Sequence, residues 1–157
     1  AYVGTLFLQK NFLDDTLAFA LNPKVELERR KSGDVLEEEV ALDISAGVSY
    51  RVMPKHFVGL EFRHQSDYLN PSEGGVKENP DIQSSNWDLF DMQIGHQFQN
   101  GNYFGPTYHY AEKNWWITTG ILFQFKGNGD PAPVSADNKN WDEHEKYHIG
   151  LAYCYEF

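Results

Sequence analysis

From Val40 to Val52 the chain alternates without a break. Val40, Leu42, Ile44, Ala46, Val48, Tyr50 and Val52 fall on one side, Ala41, Asp43, Ser45, Gly47, Ser49 and Arg51 on the other. Successive side chains of an extended strand point to opposite faces, so this segment has one apolar and one polar face. The pattern recurs: Leu17, Phe19, Leu21, Pro23, Val25, Leu27 against Ala18, Ala20, Asn22, Lys24, Glu26, Glu28; Val58, Leu60, Phe62 against Gly59, Glu61, Arg63; Trp115 to Phe125 against Trp116 to Lys126; and Tyr147 to Phe157 against His148 to Glu156. No stretch carries a helical period, so the chain is expected to be all-β.

These segments run roughly 9 to 13 residues, longer than an average globular strand and suited to a tilted membrane crossing. A mean hydropathy of -0.57 does not oppose that, because averaging over both faces of a strand erases a period-two signal. No apolar run approaches the length of a transmembrane helix. The formal charge of -10 over 157 residues opposes a nucleic-acid surface, which needs clustered Lys and Arg; Arg29, Arg30 and Lys31 are followed at once by Asp34 and Glu37 to Glu39. One cysteine, Cys154, leaves no internal disulfide and no CxxC motif.

Matching apolar faces across the Pro54 turn sets Val52 opposite Val58 and Ser49 opposite Glu61, with Pro54, Lys55 and His56 as a three-residue loop. Residues 69–85 and 127–145 are rich in Gly, Pro, Asn and acid and read as long exposed loops, whereas residues 11–15, 53–56 and 111–114 make short connections. Gln99 to Asn102 admits two readings. As a tight turn it gives eight strands; as part of one long bulged strand it gives seven. Membrane barrels place short turns on one side and long loops on the other, which favours the long strand. Single-chain bacterial barrels have even strand numbers, so seven implies N-terminal strands outside residues 1–157 or a partner chain that supplies them.

The terminal YHIGLAYCYEF, with large apolar residues at every second position up to Phe157, resembles the last strand of Gram-negative outer-membrane β-barrels. LDISAGVSYRVMPKHFVGLEFRH and FGPTYHYAEKNWWITTGILFQF are similar to the periplasmic hairpins of uncharacterised, porin-like members. The resemblance implies a single antiparallel transmembrane β-barrel domain of eight or more strands, of which this chain supplies seven or eight. It implies location in the bacterial outer membrane, contact with its lipid and lipopolysaccharide, and recognition of the last strand by the barrel-assembly machinery.

In such a barrel the polar face becomes the lumen, lined by Glu26, Glu28, Asp43, Arg51, Glu61, Arg63, Lys126 and Glu156, and the acidic excess favours cations if a channel is open. Tyr110, Trp115, Tyr155 and Phe157 are expected at an aromatic interface girdle. His64 and Ser66, on one face of a strand, with Glu78 to orient the imidazole, carry the residue types of a hydrolytic triad. The H-x-S spacing resembles the lipid A deacylases, although its mid-chain position departs from that family. His144 and His148 stand too far apart on a strand to share an ion, and residues 137–145 place Lys139 and Trp141 where a Ca²⁺ loop needs oxygen ligands. No metal and no cofactor is expected. A non-enzymatic outer-membrane barrel, a porin-like channel or a structural and assembly component, is the leading expectation. A lipid hydrolase is the alternative, and a soluble lipocalin-like barrel the third.

Overall fold

The structure, a computed structural model, describes residues 1–33, 35–69, 72–73, 76–77, 99–129, 138–141 and 144–157. Among these residues there is no helix. The strands are β1 (Tyr2–Thr5), β2 (Leu8–Phe12), β3 (Leu17–Ser32), β4 (Val35–Met53), β5 (His56–Leu69), β6 (Ser72–Glu73), β7 (Val76–Lys77), β8 (Gln99–Ala111), β9 (Trp115–Gly129) and β10 (Tyr147–Tyr155). All pairings are antiparallel, in the order β1-β3-β4-β5-β8-β9-β10, with β2 also on β3 and the short β6 and β7 extending the β4 end.

β1 and β2 are one strand with a gap. Thr5 pairs with Lys24 and Leu8 with Leu21 in the same register, and the break at Leu6 and Phe7 lies opposite Pro23, which has no N–H to give the ladder. Leu6 N–H still donates to the Pro23 carbonyl at 3.0 Å. The sheet is thus seven strands wide along its path. Gln99 to Asn102 belongs to β8, paired with Asp67 back to His64, so no turn falls there. Six antiparallel steps separate β1 from β10, so the two outer strands run in the same direction. Antiparallel closure therefore requires an odd number of strands between them.

Two bulges set details that alternation alone misplaces. Val58 faces Tyr50, not Val52; Met53 pairs with His56, and the register slips between Arg51 and Met53. Val52 is thus the extra residue, the loop is Pro54 and Lys55 with Lys55 at φ 72, and Glu61 faces Gly47 instead of Ser49. The expected apolar and polar faces survive because the displacement is an even number of residues. The second bulge is at Phe125: Asn102 pairs with Lys126 but Tyr103 with Gln124. One inserted residue reverses the face of the residues beyond it, so Lys126 leaves the lumenal set and joins the row of Asn102 and His64 on the other face.

The sheet curls into a half-barrel around its polar face. A cavity of about 410 Å³ is lined from Gln9 on β2 to Thr118 on β9, which requires the intervening strands to bend toward that side. Phe19, Leu21, Val25, Leu27, Val48, Leu60, Phe104, Ile121, Phe123, Ile149 and Leu151 belong to the opposite, convex face, where most of the large apolar side chains are exposed. The fully buried residues lie instead at one end, around Tyr103, His64, Asn100, Asn102 and Ser66.

Candidate functional site

Cross-strand register arranges the concave face in levels. At the short-turn end Arg51, Phe57, His109, Thr118 and Ala152 lie side by side. The next level holds Asn11, Ala18, Ser49, Gly59, Thr107, Gly120 and Gly150, all small except Asn11. The third has Gln9, Ala20, Gly47, Glu61 and Gly105, and the fourth Asn22, Ser45, Arg63, Tyr103 and Gln124. Small residues at mid-height leave space that larger ones close off at the far end. A Cβ on Gly59 would stand 2.6 Å from Thr107 Oγ1, and one on Gly105 would stand 1.9 Å from the Ile121 carbonyl oxygen; glycine at these two positions is what lets the neighbours approach.

Apart from Glu61, the charges on this face are engaged. Arg63 Nε donates to both carboxylate oxygens of Asp43 at 3.0 and 3.1 Å, Nη2 adds a further bond to Oδ2, and Gln65 Nε2 reaches the same oxygen at 3.4 Å. Arg51 Nη2 donates to the Asp14 carbonyl at 3.0 Å and Thr16 Oγ1 at 3.1 Å. That bracket steadies a turn whose Leu13, Asp14 and Asp15 all take left-handed φ. Lys24 pairs with Glu26 at 3.3 Å. Of the expected lumenal charges, Glu26, Asp43, Arg51, Glu61 and Arg63 share the concave face. Glu28, opposite Glu39, is exposed. Glu156 lies past the last strand residue, its N–H donating to the Asn114 carbonyl at 2.7 Å.

At the end remote from the short turns, the returning segment folds onto the concave face. Gln124 Nε2 donates to the Asn140 carbonyl and Gln124 Oε1 accepts the Asn140 N–H, both at 2.7 Å. Gln124 N–H donates to the Lys146 carbonyl at 2.9 Å and Gly127 N–H to that of Asn138 at 2.9 Å. The Tyr103 ring, wholly buried, stacks edge-on against His148 at 4.3 Å and its hydroxyl accepts from Gln124 Nε2 at 3.3 Å. A Cβ on Gly127 would stand 2.5 Å from the Asn140 nitrogen, so glycine is what admits the segment. Sequence reasoning missed this closure: alternation gives Gln124 a face and nothing more, and nothing in a polar loop reveals which of its peptide groups dock inward.

On the convex face, His64, Ser66 and Tyr68 follow the parity of Val58 and Leu60 yet are buried, with His64 1% and Ser66 0% exposed. His64 Nδ1 is 2.8 Å from Asn102 Oδ1 and its Nε2 is buried without a hydrogen-bond partner. Ser66 Oγ donates to the Tyr68 hydroxyl at 3.1 Å. The two thus share a face but engage different partners, and Glu78 lies outside the described residues.

The expected girdle residues come together at the short-turn end. Tyr110 stacks on Trp115 at 5.2 Å, Trp115 on Tyr153 at 6.0 Å and Tyr155 on Phe157 at 5.2 Å, with His56 joining Tyr110 at 4.9 Å. Beside them Lys55 Nζ donates to both oxygens of Glu112 at 2.8 and 2.7 Å, tying the two short turns together. Among the described residues, no three of His, Cys, Asp and Glu are grouped to hold a metal ion.

Fold and site define an all-β protein whose open antiparallel sheet curls around a hydrogen-bonding concave face. The chain belongs to a family of unknown function, DUF6662, whose model matches residues 1–157. No curated protein and no solved structure matches it.

Proposed function

We propose that this chain is the wall of an integral outer-membrane β-barrel, non-enzymatic, acting as a porin-like channel or as a structural and assembly component. The observation that carries the reading is the convex face: strands of 13 to 19 residues in β3, β4, β5, β8 and β9 present a band of exposed Phe, Leu and Val, bordered at one end by the stacked Tyr110, Trp115 and Tyr153 and by Tyr155 on Phe157. A contiguous apolar surface of this extent is unusual on a soluble monomer, whereas in a bilayer it costs nothing. Apolar-out and polar-in is the membrane arrangement; a soluble barrel for apolar ligands needs the opposite curvature. Barrel-assembly machinery, lipid and lipopolysaccharide are the partners this reading entails. Heat-modifiable migration on gels with partition into detergent is expected. Migration unchanged by boiling, together with full solubility without detergent, would overturn the reading.

One observation favours the lipid-hydrolase alternative. Asn102 fixes His64 through Nδ1 and leaves Nε2 as an unpartnered base. Against it, Ser66 is fully buried and its proton goes to Tyr68. A Ser66→Ala variant that changes lipid A acylation would establish the hydrolase; unchanged acylation would remove it.

A further inference from the structure

The concave cavity of about 410 Å³ between the short-turn end and Glu61 has a wall chemistry that selects a class of solute. Glu61 stands with Gly47 and Gly105 on either side of it, so neither cross-strand neighbour crowds the carboxylate, and among the described residues it makes no side-chain hydrogen bond. Both neighbouring guanidinium groups are committed elsewhere, Arg63 to Asp43 and Arg51 to Asp14 and Thr16. An anion therefore finds no free cation here, and Glu61 is left on the cavity wall as a hydrogen-bond acceptor.

Asp15, on the same wall, already accepts from Asn11 Nδ2 at 3.0 Å, and the other polar groups of the wall, apart from His109, are hydrogen-bonding amides and hydroxyls. Gln9, Asn11, Ser49 and Thr107 line it, and amides and hydroxyls both donate and accept, as sugar hydroxyls do. Phe57, held edge-on to His109 at 5.6 Å, adds an apolar ring to the same cavity. A carboxylate, amides and an aromatic surface around a space in the usual small-ligand size range form a set that grips hydroxyls and covers C–H faces.

We propose that this cavity binds a small neutral polyhydroxylated solute, a sugar of one or two rings, with Glu61 and the flanking amides accepting and donating to its hydroxyls and Phe57 packing on its C–H face. The proposal deepens the barrel reading by naming the solute class, and rests on it only for the route of access.

The test is equilibrium dialysis of the full chain, folded in detergent micelles, against radiolabelled glucose and sucrose, with lysine as a charged comparison. Saturable binding of at least one sugar near millimolar concentration is expected. Glu61→Gln, an isosteric change that keeps the fold, and Phe57→Ala should each weaken it about tenfold, a loss near 1.4 kcal/mol; circular dichroism verifies that each variant is folded. No saturable sugar binding by the folded protein, binding indifferent to both substitutions, or binding of lysine in place of sugar would each overturn the proposal. Sugar binding by a protein that fails the heat-modifiability test leaves the site standing and removes the barrel reading; membrane behaviour without sugar binding does the reverse.

Discussion

Gln124 and Asn140 exchange two hydrogen bonds, side-chain amide to backbone peptide, each 2.7 Å long. The glutamine thereby stands in for a strand partner and pins the returning segment against the concave face, with Asn140 and Gln124 both buried.

Replacing Gln124 by Ala removes both of these hydrogen bonds to the buried Asn140 peptide, at a cost of roughly 1–3 kcal/mol. The segment should then detach before the sheet unfolds. Amide hydrogen exchange at Asn140 is expected to accelerate strongly in Gln124→Ala while protection in β4 and β5 stays as it was. Equal exchange at Asn140 in both proteins would show that the pair does not hold the segment.

Arg63 and Asp43 form a half-buried pair with several contacts between them. Removing one partner leaves the other charge uncompensated in a confined site, which costs more than removing both. Asp43→Ala and Arg63→Met should each destabilise by about 1–3 kcal/mol, and the double variant by clearly less than their sum. A double-mutant cycle measured by denaturant unfolding checks this; strict additivity would show that the two groups are not coupled.

The Lys55 and Glu112 pair lies in the short turns, outside the long strands. The Lys55 ammonium, and after it the Tyr110 hydroxyl, hold the Glu112 carboxyl below the ordinary carboxylate range, and the bond to Glu112 raises Lys55 above 10.5. A depressed acid contributes stability above its unfolded value and loses it as pH falls through the folded one; a raised amine contributes below 10.5 and loses it as pH climbs through the folded value. The pair therefore acts across the window between those limits and is lost at both ends. In an NMR titration the Glu112 side-chain midpoint should lie below that of an unperturbed glutamate and rise in Lys55→Met. A midpoint indifferent to Lys55 would refute the coupling.

Ile149 and Leu151 are 70% and 72% exposed on β10. On a soluble protein an Arg at either position is nearly neutral. Facing hydrocarbon at mid-membrane it costs roughly 2–4 kcal/mol. Leu151→Arg should therefore lower folding yield and stability in lipid vesicles by about that amount, and Lys126→Arg should not. A neutral Leu151→Arg in vesicles argues that this face does not meet lipid.

Alternation by itself decided that the chain is all-β and, up to the bulges, which residues share a face; it left Gln99 to Asn102 open between a turn and a long strand, and the side on which short turns and long loops fall favoured the strand that β8 forms. Alternation also grouped Tyr110, Trp115, Tyr155 and Phe157 at one end, because period-two geometry is local and each residue's side follows from its neighbour's. What alternation cannot carry is an insertion. The extra residue at Val52 moved the Glu61 partner from Ser49 to Gly47, and the one at Phe125 sent Lys126 to the convex face. Nor does a local pattern state which face becomes concave, since curvature arises from the twist of many paired strands acting together. The burial of His64 and Ser66 on an otherwise exposed face, the assembly of Gln9, Glu61 and Thr107 around one cavity, and the docking of Asn140 on Gln124 join residues far apart in the chain. Sequence settled the alphabet of faces; only pairing across strands decided which residues meet, because contact between distant segments depends on register and curvature that no single segment encodes.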